Sequence, residues 1–154
     1  MTVKEFDALT ADREAFFYEW RQSRAELDAA LAGLTASDLE EPGMTGEWNG
    51  RMTLVHIARW DETTTEMIVR HWKGILPGVN EFEDYEQVNL EWAELDADIT
   101  LEAAWQRYHS AHEAIMRTLA HIPDDERGDF AVVLAIRIDQ PLQCFAREFL
   151  FESP

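Results

Sequence analysis

The apolar residues of this chain recur mostly three and four apart, and the breaks between them fall at proline and glycine. The clearest stretch follows Thr100. Leu101, Trp105, Tyr108, His112, Ile115, Leu119 and Ile122 step four, three, four, three, four, three. That heptad-like seam predicts a helix capped by Thr100 and running to about His121. A second strong pattern opens in residues 48–62, WNGRMTLVHIARWDE. Met52, His56, Trp60, Thr63 and Met67 step four, four, three, four, so one face of a helix carries all five. Asn49 suits the cap of that helix, and Gly74, Pro77 and Gly78 end it after Trp72. Phe17, Trp20, Ala25, Leu27 and Leu31 predict an earlier helix over about 10–33. Thr10 is its cap, with Asp12 and Glu14 near the positive end of the helix dipole.

The segments between are less regular. Residues 35–50 hold Pro42 and three glycines and read as a loop. Residues 79–99 form a long acidic connection, with a short helix expected around 82–93. The run DFAVVLAIRI, residues 129–138, reads equally as a buried strand or as the first half of a last helix. Beyond it, Pro141 suits a helix start after Asp139 or Gln140. Leu142, Phe145, Ala146, Phe149 and Leu150 then predict a helix over about 140–152. The expected fold is all-α: one domain, residues 1–154, built as a four-helix bundle with one long crossover connection.

Composition narrows the function classes. Six Trp and eight Phe supply large packing groups. The net charge is −18, from 31 acidic and 13 basic residues, and Lys4 and Lys73 are the only lysines. Such a field repels phosphate backbones and anionic lipid, so neither nucleic acid nor membrane is an expected partner. No apolar run approaches the roughly 20 residues that span a bilayer. The first residues lack the basic and apolar parts of a secretion signal, so a cytoplasmic protein is expected. Cys144 is the single cysteine, which excludes an internal disulfide and fits a reducing compartment. It is expected to be a small core hydrophobe. The acidic surface also allows a third class, a protein that meets a basic partner.

Candidate chemistry centres on five histidines. His56 and His112 both take inward positions of facing helices, where bundles build metal sites with an added acid or Cys144. His109 with Glu113, and Cys144 with Glu148, are further i, i+4 pairs able to chelate on one helix face. The simpler expectation for His56 is a hydrogen-bonded core or pocket histidine. Asp61 and Glu62 read as a solvated face of their helix. There is no HExxH, no glycine-rich phosphate loop, no CxxC and no GxSxG.

Trp48, Asn49, His56, Trp60 and Asp61 fill the pattern W-[S/T/N]-x6-H-x3-W-[D/E]. That pattern resembles the second helix of the DinB-like superfamily, which includes YfiT-like and maleylpyruvate isomerase-like proteins and bacterial thiol transferases. The flanks, REAFFYEWRQSRAELDAALAGLTASDLEEPG and TLEAAWQRYHSAHEAIMRTLAHIPDDE, look like its first and third helices, so the resemblance covers roughly residues 10–127. It implies a four-helix bundle that pairs as a homodimer. It also implies that His56 is the first of three ligands to a divalent ion, zinc or nickel, the others being a His-x3-His pair in the fourth helix. This chain departs there, because no histidine follows His121. Gln140 with Cys144, or Cys144 with Glu148, are the available substitutes.

The first expectation is therefore a degenerate-site member with no cofactor, which binds a small molecule or self-associates. His56 would line its pocket with Met52, Trp60 and His112. The alternative is a hydrolase or thiol transferase dependent on a divalent metal held by His56.

Overall fold

A computed structural model describes residues 13–75 and 85–121 of the chain. Among these residues the fold is all-α. The five helices are α1 (Arg13–Ala32), α2 (Ala36–Glu40), α3 (Gly50–Trp72), α4 (Tyr85–Leu95) and α5 (Leu101–Ala120). No strand occurs among them, only an isolated bridge between Thr45 and Trp48. None of these helices is long and apolar enough to cross a membrane. The expectations for 129–138 and 140–152, including Gln140, Cys144 and Glu148, fall outside the described residues.

The chain separates into two compact units, one carrying α1 and the other spanning Asp38–Ile122. In α1, Trp20, Arg24, Leu27 and Leu31 are buried, at steps of four, three and four. Ala25, expected on that face, is exposed. It lies about 140° around the helix from Trp20, whereas Arg24 lies in line with it. The buried Arg24 guanidinium stands 3.6 Å from Asp28 one turn on.

The second unit is organised by α3. The loop before it folds back through Gly43 and Gly46, both at positive φ, which a side chain would resist. Trp48 closes that loop: its N–H donates to the Thr45 carbonyl at 3.0 Å, and its carbonyl accepts from Met44 at 2.9 Å. Asn49 then caps the helix, accepting from the Met52 N–H at 2.9 Å. Gly50 opens α3 against α2. A Cβ there would meet the Leu39 and Met44 side chains at 2.6 and 2.9 Å. At the far end Gly74 adopts φ 71°, and the Ile75 N–H reaches back to the Arg70 carbonyl at 2.9 Å. This is the six-to-one hydrogen bond by which a glycine stops a helix.

Burial runs almost all the way round the middle of α3. Leu54, Val55, Ile57, Ala58, Trp60 and Asp61 are all covered, which marks a central helix rather than a surface one. The expected stripe through Met52, His56 and Trp60 is one flank of this helix. Trp60 and Met67 are buried on it, while Met52, His56 and Thr63 are half-buried. α5 is the main partner of α3, and α4 packs against it less extensively.

Thr100 caps α5 as expected, accepting from the Ala103 N–H at 3.2 Å. Its buried line is Ala104, Tyr108, Ala111, Ile115 and Leu119. Tyr108, Ile115 and Leu119 belong to the expected seam. Leu101, Trp105 and His112 are only half-buried. The two alanines take the inner positions instead, since a small side chain lets a helix approach its neighbour closely. Trp105 and His112 stand beside that line.

Candidate functional site

Two polar regions flank the middle of α3. The first is a fully matched ion network. Arg59 binds Asp96, just after α4, through two hydrogen bonds of 2.8 and 3.0 Å. Asp96 also accepts from Arg107 of α5 at 3.0 Å. Arg107 holds Glu62 of α3 in a second fork, at 2.8 and 2.7 Å. Burial raises the Asp96 carboxyl, but the hydrogen bonds and charges of Arg59 and Arg107 outweigh it and hold the group below its ordinary range. The hydrogen bond to Glu62 raises the Arg107 guanidinium against the opposing effect of burial. Asp61, expected in solvent with Glu62, is buried, with His112 Nδ1 3.8 Å from its carboxylate. The expectation of a solvated face is corrected for Asp61, which faces His112 of α5, whereas the Glu62 side chain stays 41% exposed beside Arg107.

The second region is a cleft between α3 and α4 with about 270 Å³ of empty space out to its open mouth. Trp48, Met52, Val55, His56 and Arg59 line one side. Asn89, Trp92, Ala93 and Asp96 line the other. The inner part is narrow, with room for about one water-sized group. Its aromatic wall is continuous. The His56 ring meets Trp48 edge-on at 4.7 Å and Trp60 at 6.3 Å, and Trp60 meets Trp92 at 5.0 Å. The Arg59 guanidinium lies 6.0 Å from the centre of the Trp92 ring.

Two buried polar atoms in this cleft are hydrogen-bonded to nothing among the described residues: Nδ1 of His56 and Oδ1 of Asn89. An unmatched buried polar atom typically costs about 1–3 kcal/mol, and native structures hold few of them. Burial pushes the His56 pKa down to about 4, so the ring is neutral at pH 7.

The sequence candidates separate accordingly. His56 and Met52 line the cleft, and Trp60 touches it through His56 and Trp92. His112 stands with Asp61 instead. Asp61 is five residues from His56, about 140° around α3, so the two histidines serve different sides of that helix. His109 and Glu113 are exposed and form no ion pair among the described residues, and His109 stacks on Trp105 at 5.5 Å. Asn89 and Trp92 were not singled out in the sequence. They lie in the acidic connection, where Asn89, Trp92, Ala93 and Asp96 recur at helical spacing. That short period is the signal that marks them.

A divalent metal does not fit the residues described around His56. Among the described residues no three His, Cys, Asp or Glu side chains stand together as a ligand group. Asp96, the acid of the cleft, is already engaged by two arginines, and the Arg59 guanidinium shares the lining. No family model, curated protein or solved structure matches this chain.

Proposed function

We propose that this protein binds a small molecule in the cleft between α3 and α4, within a four-helix bundle of the DinB-like kind. The observation that carries the proposal is the pair of orphaned polar atoms, His56 Nδ1 and Asn89 Oδ1, buried beside a cleft lined by Trp48, Met52, Val55, Trp92 and the paired Arg59 and Asp96. Binding sites have this composition: hydrophobic and aromatic walls with a few placed polar groups that fix orientation. A bound molecule that hydrogen-bonds both atoms offsets the cost they impose on the empty protein.

Catalysis is not part of the proposal. A histidine held near pKa 4 is a weak base at neutral pH, far from the match to operating pH that general base catalysis needs. The bundle is supported by the capped α3 and α5 and by their extensive packing.

Thermal unfolding in the presence of a library of small aromatic molecules tests the proposal. Binding to the native state raises the melting temperature in proportion to ligand concentration over Kd. A subset of ligands should stabilise the wild type and lose that effect in Trp92→Ala. If stabilising ligands act equally on both proteins, they bind elsewhere and the cleft is not the site.

A further inference from the structure

We infer that Asn49 is a latent modification site: the Asn49–Gly50 step is primed for spontaneous deamidation, and the folded corner between α2 and α3 holds the reaction off. In that reaction the Gly50 backbone nitrogen gives its proton to hydroxide and attacks Cγ of the Asn49 amide. The Cγ–Nδ2 bond breaks, and the side-chain nitrogen takes a proton from water and leaves as ammonia. Water then opens the cyclic imide at either carbonyl. The product is aspartate, or an isoaspartate whose backbone runs through the side chain. A glycine speeds the attack because no Cβ shields its nitrogen. The corner favours that glycine, since a Cβ on Gly50 would come within 2.6 Å of Leu39 and 2.9 Å of Met44. It also needs a capping side chain just before, and Asn49 supplies it. The fold thus sets a reactive pair side by side.

The same corner restrains the pair. Asn49 is half-buried, and both ends of its amide are held. Oδ1 accepts from the Met52 N–H at 2.9 Å. Nδ2 donates to the Glu40 carboxylate at 3.2 Å and to the Glu40 backbone carbonyl at 3.4 Å. Cγ cannot swing onto the Gly50 nitrogen, nor Nδ2 depart, while those bonds persist. Conversion would also undo the corner. It removes the Nδ2 donor and sets a second carboxylate beside Glu40, a like charge at hydrogen-bond distance. Glu40 is shared with Arg51, which in turn binds the carbonyls of Ala97 and Ile99 after α4. The aspartate product still caps α3. The isoaspartate adds a methylene to the backbone next to Trp48, whose ring meets His56.

Peptide mass spectrometry after incubation in mildly alkaline buffer tests the inference, reading the amide-to-acid mass gain and the isoaspartate product at Asn49. Unfolding the chain in guanidinium chloride should speed deamidation by about tenfold or more, because the native chain reacts only through rare openings. Glu40→Ala should speed it about threefold in the folded protein, by freeing Nδ2 from its shorter bond. Glu40→Gln keeps an acceptor for Nδ2 and should react at the wild-type rate. Both variants break the ion pair with Arg51, so their difference isolates the hold on the Asn49 amide. Should either variant fail to fold, the comparison of native and unfolded wild type decides alone. Equal rates in those two states would overturn the protection, as would Glu40→Gln reacting as fast as Glu40→Ala. An unfolded chain that keeps its Asn49 amide would overturn the site itself.

Discussion

The two polar regions beside α3 treat their groups in opposite ways. In the network of Arg59, Asp96, Arg107 and Glu62, every charge finds a forked or shared partner across three segments of the chain. Less than two turns away on the same helix, His56 lines a cleft with a buried nitrogen that has no partner among the described residues, and Asn89 lines it with an unmatched oxygen. Matched groups hold α3, α4 and α5 in register. Unmatched ones are a standing cost to the folded state, of a kind that proteins keep where function needs it. On the proposed function, the matched groups serve the framework and the unmatched pair serves binding.

Breaking the matched side should have the largest effect. Asp96→Ala strands Arg59 and leaves Arg107 with Glu62 alone, and should destabilise the protein by about 2–3 kcal/mol, read as a lowered urea midpoint. The next effect is that of pH on the unmatched side. The folded-state pKa of His56, about 4, lies below its unfolded value of 6.5. The unfolded state therefore binds the proton first, and stability should fall as pH drops from about 6.5 to 4. His56 should account for about 2–3 kcal/mol of that loss, present in full above pH 6.5 and gone below pH 4. His56→Phe should flatten this part of the profile in melts run from pH 7 to 4. The depressed Asp96 carboxyl acts in a lower window, its contribution being lost as pH falls below the ordinary carboxylate range.

Smaller effects sharpen the same contrast. Asn89→Leu removes an orphaned oxygen and should stabilise the protein by about 1 kcal/mol, seen as a higher melting temperature. Glu40→Gln removes a surface charge that Arg51 holds at 3.0 Å, and should cost about 0.5 kcal/mol or less. A larger loss from Glu40 than from Asp96 would invert the assignment of structural weight.

The local features of this arrangement were legible in the sequence. Asn49 and Thr100 cap the helices they were expected to cap, and Gly74 stops α3, because caps and stops depend on a few adjacent residues. The short helix expected around 82–93 forms at Tyr85–Leu95. Faces were harder to read. The α5 seam includes Ala104 and Ala111 in place of the larger Trp105 and His112, since close approach between helices rewards small residues that a hydrophobicity pattern undervalues. Asp61 looked solvated because His112 lies about fifty residues away, on α5. The cleft was visible by half. His56 and Met52 stood out on α3, while Asn89 and Trp92 were hidden in an acidic connection whose helical period spans barely two turns.

Urea unfolding of the wild type, Asn89→Leu and Asp96→Ala side by side at pH 7 tests the contrast most directly. The two substitutions should move the midpoint in opposite directions, Asn89→Leu above the wild type and Asp96→Ala below it. If Asn89→Leu falls below the wild type as well, the Asn89 amide is part of the structural framework, and the cleft loses the feature that marks it as a binding site.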